Sequence, residues 1–335
     1  MSLLRACTFG GMAVSVERAR ELVVACLGGG RWRIRPFGAG KFSETFDVSG
    51  DGGRYVLRVA PPDDMLQLFY ERRMMRQEPG IHARLLAETS VPVPPIVAHD
   101  FSRQLIDRDY LIMPRLPGVP LSQASLDAGA RRRALREWGG YIAQVHSLTD
   151  SQNRFGYLGE RRCMAPQASW AEAFRVMYRK ELDDIVGCGI YDSATAKAAQ
   201  ALLEDNLCVF EHCRSSRLLH GDIWATNLLV DSRGAVTGVL DFDRACWGDV
   251  EWDLAIADYC GVTGPDFWEG YGREVDRSDG PAAVRRMFYL LYEHQKYIVI
   301  SMSSRRGHNR AMAMDYARQS LAVMERFRRT GRPAF

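Results

Sequence analysis

The chain has 335 residues, of which 47% are hydrophobic and 25% are charged, a composition typical of a globular protein large enough to form two lobes. A net charge of +3 on 44 basic and 41 acidic residues is too small to indicate a nucleic acid or an acidic membrane as the partner. No run reaches the roughly 18 apolar residues of a membrane span, so no membrane association is expected.

The N-terminus and the cysteines indicate a cytoplasmic protein. The first residues, MSLLRACTFGGMAVS, lack the continuous apolar core of a signal peptide. Met1 and Met12 are both acceptable translation starts, and we expect residues 1 to 11 to be either disordered or not native. The eight cysteines contain no C-x-x-C pair, which favours reduced thiols over a disulfide framework or a zinc site.

Read from the N-terminus, the pattern predicts one helix followed by a β-meander. Residues 15 to 27 begin with Ser15, a good helix N-cap, and carry apolar residues at helical spacing. Three strand-like runs separated by glycine-rich turns follow, RWRIRPF (31 to 37), SETFDVS (43 to 49) and RYVLRVA (54 to 60). Two helices are predicted next, over residues 63 to 76 and 80 to 89, and then two extended segments broken by prolines, 91 to 100 and 108 to 116.

From about residue 117 helical periodicity dominates the chain. The clearest helical runs are GARRRALREWGGYIAQVHSL (129 to 148), SWAEAFRVMYRKELDDIV (169 to 186) and RMFYLLYEHQKYIVISM (286 to 302), and one short β region lies between 228 and 242. The sequence therefore predicts an α+β protein of two lobes. The smaller lobe, residues 1 to 116, has an antiparallel sheet, and the larger lobe, residues 117 to 335, is mainly helical.

The stretch LLHGDIWATNLLVD (218 to 231) places His220, Asp222 and Asn227 in an otherwise apolar run. NLLVD, a turn at 232 to 234, and VTGVLDFD form a plausible β-hairpin with Asn227 at its entry and Asp241 at its exit. Hard oxygen ligands at the two ends of a tight hairpin can converge on one Mg²⁺. Each residue alone is also a common cap or turn former, but the combination of the two motifs favours a site.

These motifs, together with WGDVEWDLA (247 to 255), resemble those of the aminoglycoside phosphotransferase and choline kinase family, which shares the protein-kinase-like fold. The resemblance covers about residues 30 to 300. It implies that Asp222 is the catalytic carboxylate facing the acceptor hydroxyl, and that Asn227 and Asp241 hold Mg²⁺ against the phosphates of ATP or GTP. It also implies structural support for the loop from His220, Asp249 and Asp253.

The resemblance places the nucleotide on the N-terminal lobe. The loop FGAGKFSETF (37 to 46) offers Gly38, Gly40 and Ser43 to the phosphates, although it does not match a Walker A loop. Arg58 stands where the fold usually has the strand lysine that binds phosphates, with Glu78 as the expected ion-pair partner and Glu71 as the alternative. YLIMPRLPG (110 to 118) matches the hinge between the lobes, where Met113, Arg115 and Leu116 are the candidates for binding the base.

The acceptor-binding residues are harder to identify. In this family acceptors dock between the catalytic loop and the C-terminal helices, against acidic and aromatic side chains, although acidic faces are usually just solvated. Candidates of these types in the matching region are Asp243, Trp247, Glu251, Asp258, Trp268, Tyr271 and Glu293. His146 resembles a family position, but we interpret it as core packing.

The sequence thus indicates a Mg²⁺-dependent O-phosphotransferase that moves the γ-phosphate of ATP or GTP to a small hydroxylated molecule. Family analogy favours an antibiotic as the acceptor, in a resistance or self-resistance kinase. The alternatives are a metabolic kinase for a sugar, amino alcohol or fructosamine-type substrate, a non-catalytic nucleotide-binding protein, and a metal-dependent phosphoesterase. The sequence leaves open the acceptor, the choice between ATP and GTP, and whether the protein is a monomer or a homodimer.

Overall fold

A computed structural model of the protein describes residues 13–38, 42–63, 65–159, 163–275, 280–303, 307–333 and 335. In the N-terminal lobe, α1 (Val16–Leu27) precedes a five-stranded antiparallel sheet. Its strands are β1 (Arg33–Pro36), β2 (Glu44–Gly50), β3 (Gly53–Val59), β4 (Ala98–Asp100) and β5 (Tyr110–Pro114). The strand order β1-β2-β3-β5-β4 puts β3 at the centre, paired with β2 and β5. Ser15 caps α1 as predicted, because its hydroxyl accepts from the N–H of Arg18.

The predicted helix over 63 to 76 is wrong for most of its length. The described residues before Met74 form turns, and only Met74–Gln77 make a single 3-10 turn before α2 (Glu78–Glu88) begins. Arg73 takes a left-handed conformation with φ 54°, which stops helix propagation. The N–H of Phe69 donates instead to Asp184 in the other lobe, 2.6 Å away. Tertiary contacts therefore override the local helical periodicity.

The C-terminal lobe is mainly helical, as the sequence predicts. Its helices are α3 (Ala128–Val145), α4 (Trp170–Gly187), α5 (Ser193–Glu204), α6 (Val250–Tyr259), α7 (Pro265–Tyr271), α8 (Gly280–Met302) and α9 (Arg310–Thr330). Helices α4 and α8 meet in an aromatic core in which the rings of Phe174 and Tyr289 pack edge to face with centroids 5.2 Å apart. Fully burying one such side chain stabilises the fold by about 1.5 to 3 kcal/mol.

Two small sheets shape the loops of the C-terminal lobe. The predicted hairpin is confirmed as β8 (Leu228–Val230) and β9 (Val236–Val239), which β6 (Val119–Pro120) extends to three strands. The strands β7 (Arg217–Leu219) and β10 (Cys246–Gly248) form a second, antiparallel pair that the sequence analysis did not predict. Because Leu219 pairs with Cys246, the segment after residue 219 lies beside the segment before residue 246.

The lobe boundary that the sequence predicts, at residues 116 and 117, falls in the connection between β5 and β6. Among the described helices, none combines the length and the apolar composition that a membrane crossing requires. Seven of the eight cysteines lie in the described part of the chain, and each of them is a free thiol.

Candidate active site

The loop that follows β7 is fixed by a buried aspartate from α6. Asp253 accepts hydrogen bonds from the backbone N–H groups of His220 at 2.6 Å and Gly221 at 2.8 Å. His146, which follows α3, reaches the same carboxylate at 3.1 Å. A fully buried carboxylate is stable when several donors surround it, so Asp253 acts as a buried support for the loop. His146 is buried and hydrogen-bonded, in agreement with its interpretation as a core residue.

His220 and Gly221 set the direction of the loop. The ring of His220 contacts the carbonyl of Leu240 through Nε2 at 3.0 Å and accepts from the N–H of Asp222 through Nδ1 at 3.2 Å. Gly221 has φ +79°, and a Cβ atom there would lie 2.6 Å from the carbonyl oxygen of Arg244. Only glycine fits both requirements, so the loop can pass directly over the 3-10 turn Phe242–Arg244.

One oxygen of the Asp222 carboxylate accepts hydrogen bonds from neighbouring side chains, and the other has no described hydrogen bond. Oδ2 accepts from Nε1 of Trp224 at 3.1 Å and from Nδ2 of Asn227 at 2.8 Å. Oδ1 lies 3.7 Å from Nη1 of Arg244, which is beyond hydrogen-bonding distance. The side chain is 28% exposed. This arrangement leaves Oδ1 able to accept a proton or a hydrogen bond from a bound molecule.

The entry and the exit of the hairpin, where Asn227 and Asp241 lie, are joined by a backbone hydrogen bond. The N–H of Leu240 donates to the carbonyl of Asn227 at 2.9 Å, which ties the exit of the hairpin to its entry. Asp241 has φ 72°, a left-handed conformation that Asp tolerates better than most residues. Its side chain is 39% exposed. Because the amide nitrogen of Asn227 is bound to Asp222, its amide oxygen is the atom left for coordination.

Arg58, at the centre of the N-terminal sheet, reaches three carboxylates. Nη1 donates to Glu78 at 2.7 Å, while Nη2 donates to Asp241 at 2.9 Å and to Asp243 at 3.0 Å. The partner is thus Glu78, whereas Glu71 accepts from the N–H of Leu68. Burial raises the pKa of Glu78 to about 7, although Arg58 opposes the shift. Burial and then the neighbouring Asp241 raise the pKa of Asp243 well above its usual range.

In the described contacts of this cluster, three carboxylates surround the single guanidinium of Arg58. One guanidinium cannot neutralise three buried or half-buried carboxylates, so the protein either retains protons there or binds a further cation. Mg²⁺ prefers hard oxygen ligands, and the 39% exposed carboxylate of Asp241 and the amide oxygen of Asn227 are ligands of that kind. The donor set therefore fits a divalent cation.

The other predicted nucleotide-binding residues lie around the sheet. Gly38 is exposed in the turn after β1, Gly40 lies outside the described residues, and Ser43 is buried just before β2. Met113 pairs with Val56 inside the sheet. Arg115 stacks on the ring of Phe37 at 4.6 Å and forms an ion pair with Asp47, and Leu116 packs beside Gly238.

Two of the seven predicted acceptor residues belong to the network around Asp222. Asp243 binds Arg58, and Glu293 binds Arg244. The described contacts of the other five lie away from Asp222, four of them within the C-terminal lobe and that of Trp247 with α2. Trp247 is buried in β10 under the guanidinium of Arg84, Glu251 pairs with Arg285, Asp258 pairs with Arg286, Trp268 packs on Phe267, and Tyr271 hydrogen-bonds His146. Asp249 caps α6 and accepts from Tyr289 at 2.6 Å.

Three residues that contact the site were not identified from sequence. Trp224 lies inside the stretch 218 to 231 and Arg244 directly follows VTGVLDFD, so their positions were a usable signal, but no spacing rule assigns their contacts. No sequence motif or spacing indicated a role for Gln77. Its amide nitrogen donates to the carbonyls of Phe242 at 3.2 Å, Asp243 at 2.8 Å and Ala245 at 2.9 Å, from the other lobe.

The comparisons with known proteins agree with this geometry. Residues 33–289 match the profile of the family described as "Phosphotransferase enzyme family". A probable ketoamine kinase of Vibrio cholerae serotype O1 is 27% identical over 268 residues, which cover 76% of this chain and 81% of that protein. The crystal structure of a putative fructosamine-3-kinase from Haemophilus somnus has a TM-score of 0.63 at 17% identity, covering 90% of this chain and 96% of that one.

An aminoglycoside phosphotransferase is structurally similar to nearly the same degree. A thermostable mutant of APH(4)-Ia, in a ternary complex with AMP-PNP and hygromycin B, has a TM-score of 0.60 at 18% identity. The match covers 90% of this chain and 97% of that one. At these identities the solved structures establish the bilobal, kinase-like fold that the sequence predicts.

Proposed function

The chain belongs to the phosphotransferase enzyme family, and on that premise we propose that it phosphorylates a hydroxyl group of a ketoamine, with ATP or GTP as the donor and Mg²⁺ as the cofactor. A ketoamine is a ketose linked through nitrogen to an amine. The protein is a phosphotransferase that acts on an alcohol group. The observation that supports the reaction best is the pairing of Asp222 with Asn227 and of Asp241 with Arg58, in which both aspartates keep part of their surface exposed.

The proposed reaction assigns a separate task to each oxygen of Asp222. Trp224 and Asn227 hold Oδ2, and Oδ1 orients the acceptor hydroxyl and receives its proton. The hydroxyl oxygen forms a new bond to the γ-phosphorus, the bond from that phosphorus to the bridging oxygen breaks, and the nucleoside diphosphate leaves. Phosphoryl transfer depends mainly on such positioning and on charge neutralisation, because its transition state is loose.

Asn227 and Asp241 would hold the magnesium ion. When bound, Mg²⁺ neutralises the phosphate oxygens of the nucleotide and withdraws electrons from the leaving group. Arg58 would release Asp241 and turn its planar guanidinium toward the phosphates, for which its paired donors are well suited. We assign Gly38, Gly40 and Ser43 to the phosphate loop, and Met113, Arg115 and Leu116 to the base.

A ketoamine is favoured over an antibiotic for two reasons. The relative from Vibrio cholerae is called a probable ketoamine kinase and is 27% identical, whereas the likeness to the APH(4)-Ia structure rests on the fold at 18% identity. Each acidic residue proposed from sequence for acceptor binding is already ion-paired. The pairs are Asp243 with Arg58, Glu251 with Arg285, Asp258 with Arg286, and Glu293 with Arg244. A polycationic aminoglycoside would instead need free carboxylates.

Mass spectrometry of acceptor pools tests the proposal. The purified protein is incubated with Mg²⁺, ATP or GTP, and separate pools of ketose–amine conjugates, simple sugars and amino alcohols, and aminoglycosides, with Asp222→Asn as the control. We expect one ketose–amine conjugate to gain a single phosphoryl group with the wild-type protein only. Modification of aminoglycosides alone would restore the antibiotic hypothesis. Nucleotide binding without transfer to any pool would favour the non-catalytic alternative.

A further inference from the structure

The open oxygen of Asp222 faces an arginine that is anchored from α8. Nη2 of Arg244 donates to Oε1 of Glu293 at 3.0 Å, and Nη1 lies 3.3 Å from Oε2, so the guanidinium and the carboxylate form a two-pronged pair. The same Nη1 lies 3.7 Å from Oδ1 of Asp222. The side chains of Arg244 and Glu293 are only 9% and 5% exposed. A buried ion pair from α8 thus ends beside the atom proposed to meet the acceptor.

The surroundings leave the guanidinium little freedom. It lies over the ring of Tyr70, 4.9 Å from the centroid, a distance at which cation–π attraction is appreciable. Glu293 also accepts from Nε1 of Trp252 at 3.1 Å and forms an ion pair with Lys296. Burial alone would raise the pKa of Glu293, but Arg244 and Lys296 lower it to about 2. The anchor is therefore charged and hydrogen-bonded on both oxygens.

Stability does not explain why this pair is buried. Removing two charges from water costs about as much as their attraction returns, and well-packed apolar residues of the same volume are often as stable or more so. The burial of this pair instead fits a role in which the positive charge of Arg244 must be held at a fixed position. One carboxylate oxygen near the guanidinium without a described hydrogen bond is Oδ1 of Asp222, whereas Oδ2 already has two donors.

We propose that Arg244, held by Glu293, is a positioning residue that keeps Oδ1 of Asp222 turned toward the acceptor hydroxyl. The proposal rests on the phosphotransfer function proposed above. At 3.7 Å the guanidinium attracts Oδ1 without hydrogen-bonding it, so the oxygen stays available to the acceptor. Glu293, one of the acceptor candidates from sequence, then acts on the reaction through Arg244 and not by touching the acceptor.

The test compares two buried arginines that each form a two-pronged ion pair with a glutamate. Arg285 on α8 donates to Glu251 from Nε at 2.8 Å and from Nη2 at 3.0 Å, which matches the pair of Arg244 and Glu293. We would measure kcat, both KM values and the free energy of unfolding for Arg244→Met and Arg285→Met. Methionine keeps most of the volume and removes the charge. Arg244→Lys and Glu293→Gln are milder changes that remain informative if Arg244→Met does not fold.

We expect Arg244→Met to lower kcat by about ten- to a hundredfold, the range for a reacting group displaced by about 1 Å, with little change in the nucleotide KM. Arg244→Lys should recover part of kcat, and Glu293→Gln should lower it. The double variant Arg244→Met, Glu293→Gln should lose no more kcat than Arg244→Met alone, because both act through one contact. Arg285→Met should lose stability but keep kcat.

Four results would overturn the inference. A wild-type kcat in a folded Arg244 variant would show that Arg244 does not affect catalysis. Equal kcat losses in Arg244→Met and Arg285→Met would show that the loss comes from disturbing the fold and not from the contact with Asp222. A change confined to the acceptor KM makes Arg244 a substrate contact instead. Additive kcat losses in the double variant separate Glu293 from Arg244. If the wild-type protein phosphorylates none of the pools, the proposed function itself has failed, and that result is visible before any variant is compared.

Discussion

Nη2 of Arg58 lies 2.9 Å from Oδ1 of Asp241, although 183 positions separate the two residues in the chain. The contact joins a strand of the N-terminal lobe to the end of the hairpin in the C-terminal lobe. In this contact, Asp241, which we assign to Mg²⁺, is bound by Arg58, which we assign to the nucleotide phosphates. Binding of a metal–nucleotide pair would replace one internal ion pair with two external ones.

The first prediction concerns the contribution of Arg58 to nucleotide affinity. Arg58→Met should weaken nucleotide binding by about 10- to 100-fold, because charge-assisted hydrogen bonds contribute about 1.5 to 3 kcal/mol. Arg58→Lys should be intermediate, since one ammonium cannot span the same acceptors. Isothermal titration calorimetry measures the Kd. Arg54→Met is the matched control, because Arg54 lies on the same strand with its side chain exposed; an equal loss there would contradict the assignment.

Asp241→Asn should remove the effect of Mg²⁺ on nucleotide binding. The substitution keeps the shape of the side chain and suits the left-handed backbone at φ 72°, but it removes the charge that a divalent cation requires. In the wild-type protein, Mg²⁺ should tighten nucleotide binding, measured as the shift in Tm with nucleotide at several Mg²⁺ concentrations. In Asp241→Asn the shift should be the same with and without Mg²⁺. A wild-type response in the variant would place the metal elsewhere.

Asp253 should matter for stability more than its position in a helix suggests. Asp253→Ala would leave two buried backbone N–H groups of the loop without an acceptor, at a cost of about 1 to 3 kcal/mol each. We expect the free energy of unfolding, measured with urea, to fall by about 3 kcal/mol or more. Asp315→Ala, which breaks an exposed pair with Arg318, should change it by less than about 1 kcal/mol. Similar losses in the two variants would refute the role of Asp253.

His212 should make stability depend on pH in the alkaline range. Burial opposes its charge, but hydrogen bonds to Asp249 and Glu251 raise its pKa to about 9, above the value near 6.5 expected in an unfolded chain. The folded protein therefore binds the proton more tightly, so this stabilisation is complete below about pH 6.5 and is lost as the pH rises through about 9. The stability difference between wild type and His212→Gln should be larger at pH 6 than at pH 10. An equal difference at the two pH values would refute the shift.

The sequence predicted the parts of the site that lie in short, regular segments. Asp222, Asn227 and Asp241 are joined by one hairpin, so their spacing along the chain nearly determines their spacing in the structure. The pair of Arg58 with Glu78, which the family resemblance implied, is also present in the structure. Prediction failed where contacts cross between lobes. The turns before Met74 and the bonds of Gln77 depend on partners more than 100 residues away, and local periodicity carries no information about them.

The acceptor residues stay predictions, and the contacts of several of them depend on distant parts of the chain. Acidic and aromatic residue types were selected from the sequence because they suit ligands, yet Glu251 and Asp258 are each taken by an arginine of the same chain. The type of a side chain shows what it can bind, but its neighbours decide whether it is free to do so. Those neighbours come from α8, 34 and 28 positions further along the chain.

The three bonds from the amide of Gln77 have a consequence for motion in the molecule. Gln77 immediately precedes α2, whereas its acceptors are carbonyls of the turn that carries Asp243 and Arg244. If the lobes rotate apart to admit a nucleotide, this turn must either move with the N-terminal lobe or break all three bonds together. Moving with the N-terminal lobe would also break the buried pair of Arg244 with Glu293, which holds the turn against α8. The turn beside Asp222 is therefore bound from both lobes, so a rotation of either lobe changes the contacts of the acceptor side.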